Sequence, residues 1–182
     1  MATAKTGSFY LTETVQLAAA TANGSRLSGT MDLSAYVNVP TGQAIAIDQV
    51  DFIWQRGPDF GNDVDNFLAN NPGALSMQLT DLNPGDAFVR ADNHSLIASG
   101  ALNVDDIGGA YHTADIYPDS FGPSGLSDMF LVVNDELYLT AGNDAQNIGT
   151  LVMYCTVRVR CRVVKLSTKD WMAVAIQATA SE

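Results

Sequence analysis

Between Thr150 and Leu166 the sequence alternates without a break. Leu151, Met153, Cys155, Val157, Val159, Cys161 and Val163 hold the odd positions, and Thr156, Arg158, Arg160 and Arg162 hold even ones. Successive side chains of an extended strand point to opposite faces, so this segment predicts one long β-strand with an apolar face and a polar face. Three of the six arginines then stand in a row about 6.6 Å apart. Like charges on one face repel, so the row calls for something negative opposite it. The candidates are aspartates of a neighbouring strand or loop, a neighbouring subunit's acidic surface, lipid headgroups or packaged nucleic acid. Cys155 and Cys161 share the apolar face but would lie roughly 20 Å apart along the strand, which excludes a bridge between them. They are expected as buried thiols, the alternative being partners of another chain.

The same period of two recurs along the chain, broken by Gly, Pro, Asn and Asp clusters. Strands are expected over Ser8–Leu17, Ser28–Val37, Gln43–Gln55, Leu75–Thr80, Met129–Leu139 and Thr150–Leu166, with shorter ones at Ala87–Arg90 and Ser95–Ser99. In the third, Ile45 and Ile47 are odd while Val50, Phe52 and Trp54 are even. That change of phase at Asp48-Gln49 reads as a β-bulge or a crossing between sheets. Arg56–Pro72 and Ala141–Asn147 read as loops, and Leu102–Pro123 as mostly loop with brief strands. Ser167 to Asp170 resembles a capping box, and Trp171, Ala175 and Ala178 fall on one face behind it. A short helix over about 168–179 follows. About eight strands, long loops and one terminal helix suggest a two-sheet sandwich, for which a jelly roll or another Greek-key order fits.

Length and composition bound the function. The chain has 182 residues, 47% hydrophobic and 16% charged, which suits a single domain and excludes a disordered or collagen-like chain. The net charge is −11, so binding nucleic acid through bulk charge is disfavoured. Seventeen of the twenty acidic residues are aspartate, and lysine occurs only at positions 5, 165 and 169. An Asp-rich, Lys-poor surface fits a high-salt environment, and aspartate also fills turns in strand-rich folds. Met1 to Gly7 has no apolar core of signal-peptide length, and no apolar run approaches the roughly 18 residues of a membrane span.

Signatures of catalysis are missing. His94 and His112 have no metal-ligand spacing around them, and there is no G-x-S-x-G elbow, phosphate loop or dinucleotide fingerprint. The Asp59–Asp65 loop clusters carboxylates as calcium sites do, yet without the EF-hand pattern; Asp105-Asp106 and the Asp115/Asp119 pair are weaker versions. Asn23-Gly-Ser25 and Asn93-His-Ser95 are glycosylation sequons that matter only in a glycosylating compartment. The chain is read as a non-enzyme with no cofactor and no metal.

The stretches Gly29–Tyr36, Ile47–Trp54, Phe130–Leu139 and Lys165–Trp171 resemble those of small single jelly-roll capsid proteins of icosahedral viruses. With the Asp-rich surface, the chain is most similar to the smaller vertical single β-barrel capsid protein of halophilic archaeal viruses that contain a membrane. Marine single-stranded DNA bacteriophages are a second source. The resemblance implies an all-β, eight-stranded single jelly roll over 1–182, with a short arm at 1–7 and the C-terminal helix. It also implies a virion protein that joins copies of itself and a second, larger capsid protein in pseudo-hexameric capsomers. Such a shell stands near an internal viral membrane and binds no nucleic acid specifically. Arg158, Arg160, Arg162, Trp171 and Ile176 are then subunit-interface candidates, and the loops Arg56–Pro72 and Leu102–Ser127 inter-subunit contacts. The rival is a secreted carbohydrate-binding or adhesin-type sandwich using Trp54, Tyr111 or Tyr117 as an aromatic platform.

Overall fold

The computed structural model describes residues 2–61, 67–70, 72–104, 111–117 and 130–179, the segments 111–117 and 178–179 by backbone alone. Ten strands and one α-helix are present among them. The strands are β1 (Thr3–Ala4), β2 (Phe9–Leu17), β3 (Arg26–Asp32), β4 (Gln43–Arg56), β5 (Gly73–Thr80), β6 (Leu96–Val104), β7 (Tyr111–Tyr117), β8 (Phe130–Val132), β9 (Glu136–Asp144) and β10 (Met153–Lys165); α1 spans Thr168–Thr179. In the first sheet β10 pairs with β2 and β4, and β4 pairs with β8; in the second the order is β3-β9-β5-β6-β7. Every pairing is antiparallel. Without β1 and β7, two four-stranded sheets remain, β2-β10-β4-β8 facing β3-β9-β5-β6. This is the strand order of a jelly roll, so the all-β expectation holds at the level of topology.

The periodic residues make the core. Leu17, Ile45, Ile47, Leu75, Leu79 and Leu139 are fully buried between the sheets, together with the odd side chains of β10 from Met153 to Cys161. Both cysteines are free and buried, and loss of solvation pushes each thiol up to about 12. The change of phase in β4 is a bulge: Gln49 pairs with Arg160 and Ile47 with Cys161, leaving Asp48 as the extra residue. A second, smaller apolar cluster lies on the outer side of the first sheet. There Ala44, Ala46, Val164 and Leu166 are covered by Trp171, Val174 and Ala175 of α1. The two alanines present so little side chain that the helix can lie close against the strands. Its first turn is capped as the sequence indicates, with Asp170 N donating to Ser167 Oγ at 3.2 Å.

Several expectations are corrected. Met129–Leu139 is not one strand: β8 ends at Val132 in one sheet and β9 begins at Glu136 in the other. The Ala141–Asn147 stretch is no simple loop, because β9 continues through Asp144. Ala87–Arg90 forms no strand; instead Gln78 holds Val89 from both sides, donating to its carbonyl at 3.1 Å and accepting from its N–H at 2.8 Å. The arm at 1–7 is partly sheet, since β1 lies along β10 with Thr3 opposite Lys165. The jelly roll therefore carries two strands more than the eight expected, β1 and β7. The loop after β4 contributes to the core through Phe67 and Leu68, both buried.

Candidate functional site

The outer face of the first sheet gathers the polar side of the longest strand. Arg158, Arg160 and Arg162 lie on β10 between β2 and β4, and each meets a different neighbour. Arg162 Nη2 donates to Asp48 Oδ1 at 2.8 Å, and Ser8 Oγ donates to the other carboxylate oxygen at 3.3 Å. The bulge makes this pair: the extra residue turns a carboxylate onto the outer face beside the arginine row. Arg158 sits over the Tyr10 ring, 4.9 Å from its centroid, a cation–π contact across the β2–β10 register. Arg160, between Tyr10 and Gln49 in register, makes no ion pair or side-chain hydrogen bond among the described residues. Gln49 donates instead to Asp51 at 2.7 Å. Tyr10 is 52% exposed, and Thr14 and Thr156 bond to each other at 2.9 Å one step further along.

The arginine row thus resolves into one internal ion pair, one ring contact and one half-buried guanidinium without an ion pair among the described residues. The aspartate counterpart weighed for the whole row exists for Arg162. The remaining candidates separate by environment. Trp171 is half-buried between α1 and the sheet, with its indole N–H left without a partner among the described residues, whereas Ile176 is exposed on the outer side of the helix. These five side chains therefore occupy one outer surface, arginines at its centre and helix at one end.

The aromatic platform of the rival reading does not form around Trp54, which packs half-buried against the core near Phe52. Tyr111 and Tyr117 lie on β7, at the edge of the opposite sheet, and their side chains are outside the described residues. Residues 62–65 of the Asp59–Asp65 loop, and Asp105, Asp106 and Asp119, also lie outside them. Asn23 is exposed, while Asn93 uses its side-chain oxygen to accept from Ser95 N and Oγ at 2.9 and 2.8 Å.

One buried acid escaped the sequence reading. Asp81, directly after β5, is enclosed where its neighbours bond only its backbone: its N–H donates to Ser95 O at 3.1 Å and its carbonyl accepts from Asn134 Nδ2 at 2.8 Å. Carboxylate Oδ1 has no hydrogen bond among the described residues, and desolvation pushes the carboxyl up to about 7. The residue follows Thr80 as any turn aspartate would, so the sequence held no signal that it is buried.

No family model matches the chain, and no curated protein matches it in sequence. Solved structures give distant likenesses. VP1 of Trichodysplasia spinulosa-associated polyomavirus, solved with sialylated glycooligomers, is 9% identical with a TM-score of 0.37, covering 90% of this chain and 98% of its own. Desmodium yellow mottle tymovirus is 6% identical with a TM-score of 0.30, covering 89% and 91%. Turnip yellow mosaic virus is 6% identical with a TM-score of 0.25, covering 89% and 85%. At such TM-scores the jelly-roll assignment stands on the strand order itself.

Proposed function

We infer that this chain is a structural virion protein, a single jelly-roll subunit over 1–182 that assembles with copies of itself into an icosahedral shell. The observation that carries this reading is Arg160, half-buried and without an ion pair among the described residues, beside exposed Tyr10 on the outer face of a sheet in a chain of net charge −11. An arginine without an ion pair next to an exposed tyrosine is a contact chemistry, since Arg and Tyr are enriched in protein interfaces and an acidic neighbour would complete the pair. The jelly-roll order agrees with that role without deciding it, because the same architecture also serves lectins and cupins.

The finer reading is a major capsid protein like the smaller vertical barrel of halophilic archaeal viruses. It would be paired with a second, larger capsid protein in pseudo-hexameric capsomers, near an internal membrane and without enzymatic activity. In it Arg158, Arg160 and Arg162 face a neighbouring subunit, with Trp171 and Ile176 closing one end of the contact. The low lysine content supports the reading, since few long mobile side chains would be immobilised on tiling.

Arg160→Glu is the direct test. Assembly, followed by size-exclusion chromatography and negative-stain imaging, is expected to weaken more than the thermal stability of the isolated subunit falls. Equal losses in both would place Arg160 in the subunit's own stability and remove this reading of the surface.

A further inference from the structure

Lys5 and Lys165 stand together at one end of the first sheet, where they flank a groove of about 710 Å³ between the turn before β4 and the start of α1. Its apolar lining includes Val39 and Met172, 58% and 53% exposed, beside Pro40 and Trp171. Among the described residues neither lysine has an ion pair. The groove wall is firm. Gly42, at φ +68°, approaches Leu166 so closely that a Cβ would lie 2.6 Å from its carbonyl oxygen, and the two residues are joined by a 2.8 Å backbone hydrogen bond.

A feature of complementary chemistry occupies the far end of the same two strands. After β4 the chain turns back so that Arg56 N donates to Gly61 O at 3.0 Å, and Gln55 Nε2 donates to Phe60 O at 2.9 Å. These bonds hold Phe60 at φ 55°, its ring 5.2 Å from that of Tyr154 and 54% exposed. The adjacent Asp59 side chain is 63% exposed, and Arg56 approaches it only to 3.9 Å, so its carboxylate retains acceptor capacity. Because β4 spans fourteen residues, knob and groove lie roughly 40 Å apart. One molecule cannot bring its own pair together.

We propose that the Asp59–Phe60 knob of one copy seats in the Lys5/Lys165 groove of a second copy, a head-to-tail contact along the β4–β10 axis. The proposal rests on the self-association argued above and names the surfaces of one contact. Phe60 lies against Val39 and Met172, an aromatic on an aliphatic and a thioether, and Asp59 sits between the two lysines. Charge favours this register: two copies of net charge −11 repel over most of their surfaces, and this groove holds two of the three lysines. Such a contact is heterologous, so a pair leaves one groove on the first copy and one knob on the second unused, and repetition gives a ring or an open row.

The test uses the full chain in sedimentation velocity over a range of concentrations, with Asp59→Lys and the double variant Lys5→Glu, Lys165→Glu. Thermal melts establish that both variants fold. Each variant alone is expected to associate at least about tenfold more weakly than wild type, the scale of a single interface hot spot. An equimolar mixture is expected to regain association, because the introduced lysine meets the introduced glutamates and the untouched knob meets the untouched groove. Folded variants that associate like wild type, or a mixture no better than its components, overturn this contact alone. A wild-type chain that stays monomeric throughout overturns the self-association reading as well.

Discussion

Asp48 and Asp81 are buried almost equally, at 4% and 3% exposure, and the two sheets deal with them in opposite ways. In the first sheet the bulge delivers the Asp48 carboxylate to Arg162 and Ser8, so both oxygens are bonded. At the end of β5 in the second, Asp81 is enclosed with one carboxylate oxygen unbonded and its charged form disfavoured. Burial alone therefore says little about a carboxylate's effect on stability. The outcome turns on whether a neighbouring strand brings a donor to the same face.

Removing the donor from the first case should have the largest effect. Arg162→Ala leaves Asp48 buried with only a hydroxyl. It is expected to destabilise the fold by about 2–3 kcal/mol in denaturant unfolding, less than for a fully enclosed pair because Arg162 is 27% exposed. A change below about 0.5 kcal/mol would show that water already screens the pair and would erase the contrast. The second case is expected to move the other way. The Asp81 carboxyl is raised to about 7 in the fold and titrates near 4 when unfolded. Between those values the folded state holds the extra proton, so its contribution to stability is full below about pH 4 and declines as pH rises to about 7. Asp81→Asn should match wild type near pH 4 and exceed it by about 2 kcal/mol at pH 5.5. A difference that does not vary with pH would mean that Asp81 is already ionised in the fold. The smallest effect is reserved for Ser8→Ala, which removes the longer of the two bonds to Asp48 and is expected to cost about 0.5–1 kcal/mol. A loss as large as that from Arg162→Ala would make the hydroxyl, not the guanidinium, the principal partner.

The same contrast explains how much of the molecule is legible in its residues. Strand β10 is readable because one face is apolar at every step, and the bulge because inward residues change from odd to even at Asp48. The helix is readable from Ser167 and Asp170. By contrast, Met129–Leu139 hid the passage between sheets, since Leu131 and Leu137 keep the apolar pattern on both sides of the break. Asn134-Asp135 was the turn signal that would have found it. Phe67 and Leu68 are core residues in a loop, where no periodicity marks them. The three arginines were legible as a row, but not their separate fates. Those depend on Tyr10 and Asp48 lying beside β10, and strand neighbours are set by the order of the whole sheet. The groove beside Lys165 likewise combines residues from the two termini and the turn before β4.

Cys155 and Cys161 are sealed between the sheets and held protonated, and the chain has no other cysteine. The folded exterior is consequently blank to thiol-directed reagents. A single cysteine introduced at an exposed residue would be the sole nucleophile of its kind available for conjugation. A fluorophore, spin label or cargo could then be attached at one chosen address on every molecule, with both native cysteines left in place.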